Sequence, residues 1–183
     1  MAFKPVSMND RASFVSTYDP AVDRVRICDS EIDKHPEWRE SSLTQQQQRE
    51  IAWQSFQTDF AVAIGKDPAE SERMLIFRDG ETPTKFVIGA ISTEDFNRII
   101  DETQETPTHR GRVTERMWRM FLHGLRGIEN WPGKVEMRTQ GELEYVDPAW
   151  LRRTFVKDLR EVALQVGSVV LAYNRLTEEE IKN

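Results

Sequence analysis

Cysteine is almost missing from these 183 residues: Cys28 stands alone, which excludes an intrachain disulfide framework and fits a reducing compartment. Long apolar runs are missing as well. No stretch approaches the roughly 20 residues that cross a bilayer, and Met1-Ala2-Phe3-Lys4-Pro5 lacks a signal-peptide core, so we expect cytoplasmic synthesis and no membrane partner. A basic excess is absent too. The net charge is -6, opposite to the footprint that phosphate neutralisation requires, which makes general nucleic-acid binding an unfavoured reading. Catalytic signatures are also lacking: no GxSxG, GxxxxGK[ST] or GxGxxG occurs. We therefore expect a protein that is not an enzyme and uses no cofactor.

What is present is a charged, helix-rich chain of 38% hydrophobic and 31% charged residues, enough for one ordinary core or one core plus an arm. The charge divides unevenly. Residues 1 to 105 carry 20 acidic and 12 basic side chains, and residues 106 to 183 carry 11 and 13. The most regular pattern lies in the last third, where Leu151, Phe155, Leu159, Val162, Val166, Val169 and Tyr173 are spaced by three or four and form one helical stripe. Asp147-Pro148 starts that helix, because the Asp oxygen accepts from the first turn and Pro at the first helical position loses no hydrogen bond. Such a stripe must be covered, by this chain, a second copy or a partner.

Along the chain, residues 1 to 22 are polar and broken by Pro5 and Asp19-Pro20, which predicts an extended N-terminal arm with a short helical turn around Asn9 to Val15. Val22 to Cys28 alternate and suit a short strand. A helix from Thr44 to Ile64 comes next, opened by a Thr44/Gln47 capping box, carrying Trp53, Phe56, Phe60 and Ile64 on one side, and ended by Gly65. Asp67-Pro68 repeats the helix-start signal. Met74 to Phe77 and Phe86 to Ile91 predict a hairpin about Asp79-Gly80 and Pro83. Ser92 caps a helix from Thr93 to about Thr103, and another spans residues 112 to 130, ended by Trp131-Pro132-Gly133. Lys134 to Tyr145 alternate weakly, as a β excursion or a loop. The whole reads as an α+β, predominantly helical fold in which helices 44 to 64, 112 to 130 and 148 to 176 pack beside a small antiparallel hairpin. Residues 23 to 183 then form a single domain with a long C-terminal helix.

Three constellations hold chemically capable side chains. Asp29, Glu31, Asp33, His35 and Glu37 occupy alternate positions, so an extended chain would set them on one side for a hard cation; the tract lacks the glycine and spacing of a calcium loop, and we assign no metal site. His109 and His123 stand alone, and Cys28 has no nucleophile signature. Arg110, Arg112, Arg116, Arg119 and Arg126 with Trp118 form the most basic segment, able to touch phosphates or to dock on the acidic half of the same or another copy.

Three segments carry a resemblance. Thr17-Tyr18-Asp19-Pro20 is one. The second is Phe86-Val87-Ile88-Gly89-Ala90-Ile91-Ser92-Thr93-Glu94-Asp95-Phe96-Asn97-Arg98-Ile99, a strand leading into a polar-capped helix. The third pairs Phe121 to Trp131 with the terminal Asn174-Arg175-Leu176-Thr177-Glu178-Glu179-Glu180-Ile181-Lys182-Asn183. Together they resemble tail assembly chaperones encoded in the structural gene clusters of tailed bacteriophages, over about half of the chain. The resemblance implies a non-enzymatic protein in the host cytoplasm that holds the helical tape-measure protein, and with it tail-tube subunits, during tail polymerisation. The partner-binding residues it points to are Leu151, Phe155, Leu159, Val162, Val166 and Tyr173 on the stripe, with Trp118, Arg116 and Arg119 beside it. The alternative is a virion subunit of the neck or tail, a ring-forming connector whose identical copies meet acidic face to basic face. A third reading, a small nucleic-acid-binding regulator, would depend on Arg116 and Arg119.

Overall fold

A computed structural model describes residues 11–66 and 71–181. Three antiparallel strands, β1 (Arg11–Val15), β2 (Lys85–Gly89) and β3 (Leu125–Glu129), form one sheet in the order β1-β2-β3. The register is Arg11 with Gly89 through Val15 with Lys85, then Lys85 with Glu129 and Phe86 with Ile128. A second sheet is the hairpin β4 (Met137–Gln140) and β5 (Leu143–Val146), turned at Gly141, whose φ of 63° suits glycine.

Around these sheets lie α1 (Arg24–Lys34), α2 (Glu37–Glu40), α3 (Gln45–Lys66), α4 (Thr93–Gln104), α5 (His109–Gly124), α6 (Pro148–Phe155) and α7 (Arg160–Ile181). The α+β, mainly helical class is as expected. One hydrophobic core links Phe14 and Val15 of β1, Phe56 and Phe60 of α3, Phe86 and Ile88 of β2, Phe121 of α5, and Val166 and Val170 of α7. Among the described residues, no helix is long and apolar enough to cross a membrane.

The capped helix starts behave as the side chains dictate. Thr44 Oγ1 accepts from the Gln47 amide at 3.3 Å while Gln47 Oε1 accepts from the Thr44 amide at 2.9 Å, and Ser92 accepts from the Asp95 amide at 3.1 Å. At Asp147 the carboxylate takes the Ala149 amide at 2.8 Å, next to Pro148.

Several expectations are corrected. The N-terminal segment is not an arm from residue 11 onward: β1 is an edge strand of the main sheet, and Gln165 of α7 holds the two residues after it, accepting from Ser16 Oγ at 2.6 Å and from the Thr17 amide at 2.9 Å. The arm's first ten residues and the Asp67-Pro68 signal lie outside the described residues. Val22 to Cys28 is not a strand, since Asp23 caps α1 by accepting from the Arg26 amide at 3.1 Å and the buried set Ile27, Cys28, Glu31, Ile32 has helical spacing.

Met74 to Phe77 does not pair with β2. Its partner is the chain around Val22, through the Val22–Phe77 bridge, Asp23 N to Ile76 O at 2.7 Å and Arg78 N to Ala21 O at 2.8 Å. The helix expected over 112 to 130 begins earlier, at His109, capped by Thr108, whose hydroxyl accepts from the Gly111 amide at 3.1 Å, and ends at Gly124, where the chain turns directly into β3. Gly65 lies within α3 and is not among the positive-φ residues, so it is not a left-handed terminator. Finally, the terminal helix is two helices, α6 and α7, joined by residues 156–159; the apolar period runs through the joint because both helices face the same core.

Candidate functional site

The stripe residues are the chain's own interior. Leu151, Phe155, Val166 and Val169 are fully buried and Val162 nearly so, while Leu159 and Tyr173 are half-buried against the same core. Phe155 sits in an aromatic cluster, with ring centroids 5.1 Å from Phe121, 5.3 Å from Trp131, 6.2 Å from Phe86 and 6.2 Å from Trp150. Among the described residues the stripe therefore leaves no open groove for a client; the sheet and α5 cover it.

The acidic tract is likewise dispersed. Asp29, Glu31 and Asp33 lie on a helix, which spreads alternate positions around its circumference, and Glu31 is buried under Lys34 at 2.5 Å. His35 stacks on Trp38 at 4.2 Å and its Nδ1 lies 3.0 Å from Glu37.

Trp118 is differently placed. It is half-buried on α5, its ring 5.7 Å from Phe121, and forms one wall of a cleft of about 340 Å³ between α5 and the joint of α6 with α7. Thr114 and Glu115 continue that wall, and Arg152, Val156, Arg160 and Leu164 make the other. Val156 is 54% exposed in this apolar setting. Those four residues recur at every fourth position, a second stripe beside the buried one, alternating arginine with an apolar side chain. Apolar periodicity does not single it out, because it alternates charge with apolar residues.

Arg119 borders the adjoining depression with Thr106, Thr108, Arg110 and Arg160. Its guanidinium donates to Glu115 at 2.8 Å and to Glu102, contacts that hold it above its ordinary pKa and neutralise it locally. Arg116 turns the other way, its Nε donating to Thr103 Oγ1 at 3.1 Å, so it ties α5 to α4. The two arginines singled out by sequence are thus largely engaged. Arg110, Arg152 and Arg160 are exposed and form no ion pair among the described residues, leaving positive charge from Arg152 and Arg160 at the Trp118 cleft and from Arg110 in the adjoining depression.

Such a cleft can accept an apolar side chain between the indole and Val156 while its rim attracts carboxylates on either side. Tryptophan and arginine are the side chains that most often carry binding energy at protein interfaces. Compared with protein-family models, with curated proteins and with solved structures, the chain matches none.

Proposed function

We propose that this chain is a non-enzymatic assembly protein of a bacteriophage tail, a chaperone that holds a helical segment of the tape-measure or tail-tube protein at the Trp118 cleft. The observation that carries the interaction surface is the pairing of an accessible apolar wall, Trp118 with Val156, and two lining arginines, Arg152 and Arg160, that form no ion pair among the described residues. The tail assignment itself rests on the resemblance of the three sequence segments. The client chemistry that fits is an amphipathic helix with one large apolar anchor flanked by Asp or Glu at helical spacing, bound as a helix in a groove. Its anchor would be the main source of affinity. The rim charges would chiefly set orientation and on-rate.

A second reading, the ring-forming virion subunit, draws on α1, where exposed Val25 and Asp29 lie four residues apart on one face. That face offers an apolar contact beside an acid, the complement of the cleft on a neighbouring copy.

Replacing the exposed Val156 by p-benzoylphenylalanine and irradiating infected cells tests both readings. Covalent adducts with the tape-measure or tail-tube protein support the chaperone. Adducts with residues of α1 on another copy transfer the assignment to a ring subunit, and the absence of any protein adduct overturns both.

A further inference from the structure

The second sheet edge carries a different site. β2 and β3 fall out of register between Val87 and Ile88: Val87 faces Gly127 and Ile88 faces Leu125, so Arg126 is the extra residue of a β-bulge. Bulges re-aim a side chain. Here the Arg126 side chain crosses Gly89, where a Cβ would stand 2.8 Å from its Cγ and 3.0 Å from its Nε, so the glycine makes its path possible. The residue is only 3% exposed.

The buried guanidinium donates to His123 O at 2.7 Å and to Ala90 O, while its Nε has no partner among the described residues. No carboxylate pairs with it among those residues either; burial, and then the charge of another cation, Arg11, press it below its ordinary pKa. Two carbonyls and the end of α5 supply only partial negative charge. A buried charge without a counter-ion is costly, and removal of a partner from such pairs is strongly destabilising.

Arg126 lines a cleft of about 350 Å³ with Ser92, Arg98, His123, Gln140 and Tyr145. Asp95 is the acid in that lining, and it is already engaged, accepting from Ser92 Oγ at 2.8 Å and from Arg98. The donors that remain include the rest of the Arg126 fork, the Tyr145 hydroxyl, the Gln140 amide, the other N–H groups of Arg98 and the His123 ring, and Arg98 and Arg126 against Asp95 leave one net positive charge.

We propose that this cleft is a binding site for a small oxyanion, a carboxylate or a phosphate group, held by Arg126 from beneath and by Tyr145 and Gln140 from the β4–β5 hairpin. The bound anion supplies the counter-charge that Arg126 lacks among the described residues. Charge-assisted bonds to a guanidinium fork are the strong class, so loss of the fork geometry weakens binding even when the charge is kept.

Isothermal titration of the full chain with sodium phosphate and with sodium citrate, against sodium chloride at matched ionic strength, tests the site. Saturable one-to-one binding of phosphate, citrate or both is expected, and which anion binds distinguishes a tetrahedral from a planar ligand. Arg126→Lys is expected to weaken it about tenfold or more, and Tyr145→Phe and Gln140→Ala each severalfold, the range of one lost charge-assisted hydrogen bond. Circular dichroism establishes that each variant folds; if Arg126→Lys does not, the two hairpin variants decide. No binding beyond chloride, or binding that Tyr145→Phe and Gln140→Ala leave unchanged, overturns the proposal.

Discussion

Gly167 leaves the least room for a side chain of the glycines in the described residues. A Cβ at this position on α7 would lie 1.9 Å from the Met117 carbonyl oxygen of α5, 2.7 Å from its carbon and 3.2 Å from its Cα. Ordinary contact begins at 3.4 Å, so Gly167→Ala creates an overlap of 3.4 minus 1.9, or 1.5 Å, with backbone that cannot rotate away. The helices must separate, and the same crossing is locked further along by Gly124, whose Cβ would meet Val170 at 2.2 Å. Overpacking costs about 1–3 kcal/mol in general, and a backbone clash belongs at or above the upper end. Alanine recovers about 1 kcal/mol of helix propensity. The net expectation is a loss of about 2 kcal/mol or more, a fall in Tm of roughly 4–8 °C for a chain of this length. Urea unfolding followed by circular dichroism measures it, with an unchanged m-value marking a folded-state effect. Gly65→Ala is the internal control, because no described atom lies within 4 Å of its Cβ position on α3, and it should stabilise by about 0.5–1 kcal/mol. A Gly167→Ala variant as stable as the parent would refute the close α5–α7 crossing.

Phe155→Ala removes the centre of the aromatic cluster and should cost about 3–5 kcal/mol in urea unfolding, whereas Val156→Ala next to it, exposed, should change stability by no more than about 0.5 kcal/mol. The Asp147 carboxyl is held below its ordinary value of 3.8 by the Ala149 amide and then by Arg138, 3.1 Å away. A depressed folded pKa contributes stability above the unfolded value that disappears as pH falls through the folded one. Asp147→Asn should therefore be less stable than the parent at pH 6, and the difference should shrink below about pH 3.8 in acid titrations of Tm. Burial raises the Cys28 thiol above its ordinary range, and its sulfur contacts Arg49 O at 3.5 Å, so it should stay unreactive toward a thiol-disulfide reagent at pH 8 until urea unfolds the chain.

The parts of the fold legible in the sequence are those fixed by neighbours in the chain. Thr44 with Gln47, Ser92 before Thr93, and Asp147 before Pro148 each satisfy amides within four residues, and those helix starts fall where the side chains place them. Strand partners are a different matter. Arg11 pairs with Gly89, a choice made by burial of Phe14 beside Phe86 and invisible in a five-residue window, and β3 takes Leu125 to Glu129 from what reads as a continuing helix by pairing with β2, a partner also distant in the chain. The apolar stripe of the last third is legible as a buried face, but periodicity is silent on which surface buries it. Trp118 is legible as an off-face aromatic; its cleft is not, since Val156 and Leu164 become its wall only after the α6–α7 joint turns them toward α5.

Quantitative mass spectrometry of this chain in infected cells and in purified virus particles, with the tail-tube and capsid subunits as internal standards, is the most direct test of an assembly chaperone. A chaperone of this kind is abundant in the cell and absent from finished particles. A fixed small number of copies per particle, such as a ring would require, contradicts that role and makes the Trp118 cleft a contact between subunits.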